Sequence, residues 1–160
     1  VVGGAALEAF EQDMVEHARK YFPNHCRIGG ESAVRTMIRL GIEKGREYGF
    51  TTRRNVALYI TVMFMLGSRF DEDFMFPRLR EKLVSKEDIR PSARADSLAD
   101  LALEFQRKIA GPQNRRMNRA FLTLRKEREK LVEGPGSEDF DTYMPRRLKQ
   151  VFPQKTGISL

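Results

Sequence analysis

The chain has 160 residues, 41% of them hydrophobic and 32% charged, and a formal charge of +7. That length and apolar share suffice for one compact domain with its own core. The single cysteine, Cys26, excludes an internal disulfide framework and fits a reducing compartment, so the expected location is the cytoplasm.

No basic, apolar, small-residue signal pattern opens the chain, and Val1 is not an initiator methionine, so the amino terminus carries no information on targeting. The first predicted helix runs from about Ala5 to Phe22, with Leu7, Phe10, Met14, Ala18 and Tyr21 on one face and Pro23 stopping it. A second covers Glu31 to Tyr48. There Val34, Met37, Ile38, Gly41, Ile42, Gly45 and Tyr48 form an apolar stripe opposite Arg35, Arg39, Glu43, Lys44, Arg46 and Glu47. Gly41 and Gly45 each cost about 1 kcal/mol relative to Ala inside a helix, which predicts a close neighbour packed flat against them. Gly49 has the position of a left-handed C-terminal cap, and Thr51 or Thr52 can cap the next helix.

That third helix, roughly Arg53 to Leu66, is apolar on nearly every side yet well short of the roughly 20 residues that span a bilayer. It is expected at the centre of a bundle. Gly67 ends it, and Phe70 to Phe76 interleaves acids with aromatics before Pro77 opens a short helix to about Val84. Another helix follows from Pro91 or Ser92 to Ala110, buried through Leu98, Leu101, Ala102, Phe105 and Ile109. Gly111-Pro112 breaks the chain before a helix from about Gln113 to Glu133, Gly134-Pro135-Gly136 marks a loop, and a short helix is placed from Ser137. There is no strand-like alternation of useful length, no internal repeat and no low-complexity tract. The fold class is therefore all-α: a single domain over 1–152, built as a bundle of about six helices around the apolar helix at 53–66, with a frayed tail at 153–160.

The residues Tyr21-Phe22-Pro23, Cys26, Gly29, Gly41-Ile42, Tyr48-Gly49, Tyr59-Ile60, Met63-Phe64, Leu66-Gly67, Phe70-Asp71 and Asp73 resemble a family of small helical bacterial proteins. Members are encoded beside the spike and tip proteins and the cargo toxins of type VI secretion systems. The resemblance covers about a third of the chain and brings no catalytic residues with it. Met75 departs from it, standing where a small residue or proline is expected before Phe76-Pro77. What it implies is a cargo adaptor or chaperone, or else a cognate immunity protein that masks a toxin; the implied partner is a secretion cargo, spike or toxin.

The charge is uneven: residues 1–106 hold 16 Lys/Arg against 16 Asp/Glu, and residues 107–160 hold 13 against 6. On a helix drawn from Gln113, Arg115, Arg116, Arg119, Lys126 and Lys130 fall within an arc of about 100°, with Met117, Ala120, Phe121 and Leu124 opposite. Such a stripe is either a solvated face or a surface for an anionic partner, whether an acidic protein or a nucleic acid. No zinc-finger spacing, basic region joined to heptads or RNA-binding aromatic motif accompanies it, and Trp is absent, which sets nonspecific nucleic-acid binding below protein binding.

Chemical constellations are poor. His25 and Cys26 are adjacent with His17 nearby, but a nucleophile needs a base and an orienting group that converge in space. Asp71, Glu72 and Asp73 resemble the start of a calcium loop, which then requires an oxygen ligand and a glycine where Met75 and Phe76 stand. Glu43 and Glu47 share a helix face without the Glu-x-x-His of a di-metal bundle, so a solvated face shared with Arg39, Lys44 and Arg46 is expected there. Gly3-Gly4 and Gly29-Gly30 lack the Lys-Ser/Thr of a phosphate loop. The expectation is a chain without enzymatic activity, metal, cofactor or membrane span. Two candidate partner surfaces stand out: the basic stripe, and an acidic-aromatic edge made by Phe70, Asp71, Asp73, Phe74 and Phe76, where acids would steer and aromatics anchor. The alternative for that segment is structural, with its acids capping the following helix or pairing with Arg69, Arg78 and Arg80 while Phe70, Phe74 and Phe76 pack beneath.

Overall fold

The computed structural model describes residues 4–85, 90–126 and 136–151. Every regular element among them is helical: α1 (Gly4–Tyr21), α2 (Pro23–Glu47), α3 (Arg53–Leu66), α4 (Pro77–Val84), α5 (Pro91–Ala110), a 3-10 turn (Pro112–Asn114), α6 (Arg115–Lys126) and α7 (Phe140–Val151). The internal contacts divide the chain, expected as one domain, into two compact units, Val1–Gln106 and Arg107–Leu160. The expected tail at 153–160 lies outside the described residues.

In the first unit α1 packs on α2, and α2 on α3. Pro23 ends α1 as its ring dictates, and also opens α2, where its missing N–H costs nothing. Gly30, at φ 72° and ψ 170°, breaks the helical course of α2, so that the segment from Glu31 onward is the amphipathic stretch read from the periodicity. Val34, Ile38, Gly41, Ile42 and Gly45 are buried there. A Cβ placed on Gly41 would come within 2.6 Å of Ile60 Cγ1 and 2.8 Å of Met63 Sδ, so only glycine lets α3 approach this closely. Gly45 differs: its Cβ would meet Tyr59, Phe50 and Val56 at 3.8–3.9 Å, an ordinary contact. No close approach holds a glycine there.

Gly49 takes φ 78°, and the Thr52 hydroxyl accepts from Asn55 N–H to cap α3. On α3, Asn55, Val56, Tyr59, Ile60, Val62, Met63 and Phe64 are buried while Arg53 and Arg54 stay in water. The core continues through Phe70, Phe76, Leu79 and Leu83 into Ala95, Leu98 and Ala102 of α5. Ile109, expected in that core, is 45% exposed; the buried face of α5 stops short of it at Ala102, with Phe105 partly buried. Arg94 ties α5 down, donating to the Leu83 and Tyr48 carbonyls at 2.9 and 2.7 Å and lying over the Phe50 ring.

In the second unit, Gly111 turns the chain at φ 70°, and Gln113 and Asn114 also take positive φ before α6 begins. The expected helix from Gln113 to Glu133 is thus a 3-10 turn followed by α6, described to Lys126. α7 starts at Phe140, three residues after the expected Ser137, because Asp139 caps it: its carboxylate accepts from Asp141 N–H and its carbonyl from Tyr143 N–H.

Candidate functional site

The ten residues between α3 and α4 carry the best-built surface feature. Gly67 closes α3 through its N–H to the Met63 carbonyl, and successive turns follow from Phe70 N–H to the Gly67 carbonyl and from Glu72 N–H to the Arg69 carbonyl. Phe70 and Phe76 then turn inward. The Phe70 ring lies 5.3 Å from Tyr59 and the Phe76 ring 4.8 Å from Phe105, centroid to centroid.

Asp71 is buried between them. Its Oδ2 accepts from Lys44 Nζ at 2.9 Å, from the Tyr48 hydroxyl at 2.9 Å and from the Tyr59 hydroxyl at 3.3 Å, while Oδ1 is buried without a hydrogen-bond partner. Lys44 reaches on to Glu72 Oε1 at 2.8 Å. Burial alone would lower the pKa of the Lys44 ammonium, but its bonds to Glu72 and Asp71 outweigh that and raise it. Burial, reinforced by the bond to Asp71, pushes the Tyr48 hydroxyl up to about 12, and burial raises Tyr59 further.

The loop's outer end is organised by Asp73, whose Oδ1 accepts from Met75 N–H at 2.8 Å and whose carbonyl accepts from Phe76 N–H at 3.1 Å. Between these anchors Phe74 stands 89% exposed and Met75 59%. The expected acidic-aromatic edge therefore needs correction. Phe70, Asp71 and Phe76 belong to the core, for a short loop between packed helices has to bury its own anchors, and Asp73 is half-buried and engaged in holding the turn. Of the five residues, only Phe74 presents itself to a partner. Sequence reasoning missed Met75 as part of the tip, and it missed Lys44, which it assigned to a solvated face.

The basic stripe lies at the surface wherever it is described. Arg115, Arg116, Arg119 and Lys126 are exposed, as is Arg125; Lys130 lies outside the described residues. Arg115 contacts the Gln113 side chain and Arg116 the Lys108 carbonyl, and no salt bridge joins any of these cations to a described carboxylate. The opposite side is also open: Met117, Phe121 and Leu124 are 39%, 62% and 37% exposed, and no residue of α6 is buried.

Groups weighed for catalysis are spread among structural roles. The His17 ring shares a 3.2 Å hydrogen bond with the Thr61 hydroxyl, and burial lowers its pKa. His25 sits edge-on to Phe22 and Phe64. Cys26 lines a cavity of about 170 Å³ with Val15, Arg19, Glu31 and Val34. Glu43 and Glu47 are exposed, and so is Arg39, whose guanidinium nevertheless joins that of Arg35 in clamping the nearly buried Glu11 of α1, at 2.8 to 3.0 Å. The Arg39 hydrogen bond, followed by that of Arg35, holds the Glu11 carboxyl below the usual carboxylate range against the opposing effect of burial. Among the described residues no group of three or more His, Cys, Asp and Glu has the arrangement to hold a metal ion, and no helix is long and apolar enough to cross a membrane.

No family model matches the chain, and no curated protein or solved structure is significantly similar to it.

Proposed function

We propose that the chain is a non-enzymatic protein-binding module whose contact point is the Phe74-Met75 tip, and that it acts in the cytoplasm as an adaptor or chaperone for a cargo toxin of a type VI secretion system. One observation carries the binding role: an almost fully exposed phenylalanine on a loop fixed at both flanks and by a buried ion pair. Exposing Phe74 to water is unfavourable, and burying such a side chain against a partner is worth about 2 kcal/mol or more. Because the loop is held before any partner arrives, little ordering entropy opposes that gain. The partner surface that fits is an apolar pocket on a protein.

The secretion context rests on the resemblance. Many of the residues that carry it pack together: Gly41 against Ile60 and Met63, Tyr48 and Tyr59 on Asp71, Phe22 stacked on Phe64, Gly67 closing α3. This scaffold presents the tip. The open cationic face of α6 favours the second reading, an immunity protein that masks an acidic toxin surface by charge complementarity.

The test is a pull-down from native cells with the tagged chain and its Phe74→Ala variant, at moderate and high salt. A secretion-associated protein captured by the parent and lost from the variant supports the proposal, and assaying that protein's toxicity in the complex separates adaptor from immunity. Equal capture by both chains refutes the tip as the contact, and recovery of nucleic acid alone, released by salt, refutes protein binding.

A further inference from the structure

We propose that α6 lies flat on an anionic lipid surface, with its apolar side at the acyl boundary and its guanidinium groups on lipid phosphates. Its twelve residues hold five cations and no carboxylate. At 100° per residue, Met117, Ala120, Phe121 and Leu124 occupy one arc about 100° wide, and Arg115, Arg116, Arg119, Arg125 and Lys126 take the rest of the circumference. Leu122 stands apart, on the cationic side. Both sides are open to water: the five cations are exposed, and so are Met117, Phe121 and Leu124, with Ala120 half-buried.

That double exposure selects the occupant. A nucleic-acid backbone would satisfy the cations and leave Phe121 and Leu124 in water. A protein groove that took the apolar side would also need a rim of acids matched to the arginines, two features that have to coincide on one partner. An anionic bilayer offers both surfaces at once, because a helix lying in its plane sinks about 5–10 Å, which places apolar residues among acyl chains and flanking cations at the phosphates. Arginine suits that position, since its planar fork binds phosphate oxygens in pairs. No described helix is long and apolar enough to cross a membrane, and five cations in the twelve residues of α6 suit a course along the surface.

The chain contains no tryptophan, so Phe121→Trp installs a single fluorescent reporter on the apolar side. This variant is titrated with vesicles of phosphatidylglycerol mixed into phosphatidylcholine, and with vesicles of phosphatidylcholine alone. A blue shift is expected with the anionic vesicles only. Each cation near an anionic leaflet raises affinity about fivefold, so Arg115→Gln with Arg119→Gln in the reporter background weakens binding about thirtyfold. Leu124→Asp abolishes the shift, whereas Leu122→Ser, on the other side, preserves it. All substituted positions are exposed, and an unchanged urea midpoint for each variant verifies the fold. The proposal is overturned by an unshifted emission with both vesicles, by equal losses from Leu124→Asp and Leu122→Ser, or by binding to duplex DNA at the same salt that exceeds binding to the anionic vesicles.

Discussion

Lys44 and Asp71, 27 residues apart in the chain, meet at 2.9 Å with the carboxylate fully buried and the lysine side chain 17% exposed. The pair fastens the loop that carries Phe74 to α2. Removing one partner of a buried pair leaves the other charge without compensation, a loss of about 3 kcal/mol or more, whereas replacing both partners with apolar groups is much less costly. Lys44→Met alone is therefore expected to lower stability by about 3 kcal/mol, and Lys44→Met with Asp71→Leu to recover part of it. Urea denaturation of the three chains measures this; a single variant within about 0.5 kcal/mol of the parent would mean that the pair does not fasten the loop.

Phe74 should be separable from its neighbours by stability. Phe74→Ala removes only exposed surface and is expected to shift stability by no more than about 0.5 kcal/mol while abolishing capture of the partner. Phe70→Ala and Phe76→Ala excavate the core and should each cost about 3–5 kcal/mol. Thermal melts beside the pull-down distinguish the two classes, and a destabilised Phe74→Ala would place that ring in the core.

The two glycines of α2 should respond in opposite senses. Gly41→Ala gains about 1 kcal/mol of helix propensity but forces a Cβ into Ile60 and Met63, an overpacking cost of about 1–3 kcal/mol. The Met63 thioether ends a flexible side chain; the Ile60 Cγ1, next to its own backbone, gives less, so the net effect is a loss. Gly45→Ala makes only ordinary contacts and should stabilise by up to about 1 kcal/mol. Equal effects at the two positions would contradict the close approach at Gly41.

Stability should fall on the alkaline side. The unfolded chain releases its tyrosine protons near 10.0, whereas folded Tyr48 keeps its proton to about 12 and Tyr59 is raised as well. The folded state then binds more protons than the unfolded one, so this contribution is complete below about pH 10 and is lost as pH rises toward 12. Lys44, also raised, adds to the loss with the same sign above 10.5. Glu11, depressed below its ordinary 4.5, works oppositely: its contribution is present above that value and lost as pH falls. Urea midpoints followed from neutral to alkaline pH test the first effect, with Tyr48→Phe expected to flatten part of the fall; a level midpoint between pH 10 and 12 would argue against it.

Several helix boundaries were legible because their causes are local, although α2 begins at Pro23 and not at the expected Glu31. Pro23, Gly49, Thr52, Gly67, Pro77 and Gly111 each act on backbone groups within a few residues, and each acts in the structure as its type requires. The amphipathic faces of α1, α2 and α6 were equally plain, since apolar periodicity reports on one helix at a time. What periodicity assigned wrongly were charged residues whose partners are distant in sequence. Arg35 and Lys44 occupy positions that a helical wheel gives to water, and only α1 and the loop after α3 supply the carboxylates that draw them inward. In Phe70 to Phe76 the sequence offered five candidates of two chemical types with no period to sort them.

The sequence by itself determined an all-helical chain, the turns between its helices, and a cationic helix with a separate apolar side, because propensity, capping and periodicity are properties of neighbouring residues. The tertiary structure alone decided that Phe70 and Phe76 point inward while Phe74 points out, and that Asp71 is an anchor and not part of a charged edge. The physical reason is that burial is settled by what packs across a gap. Tyr48, Tyr59 and Lys44 converge on a single carboxylate oxygen from positions 12 to 27 residues away, a meeting that exists only once the helices are assembled.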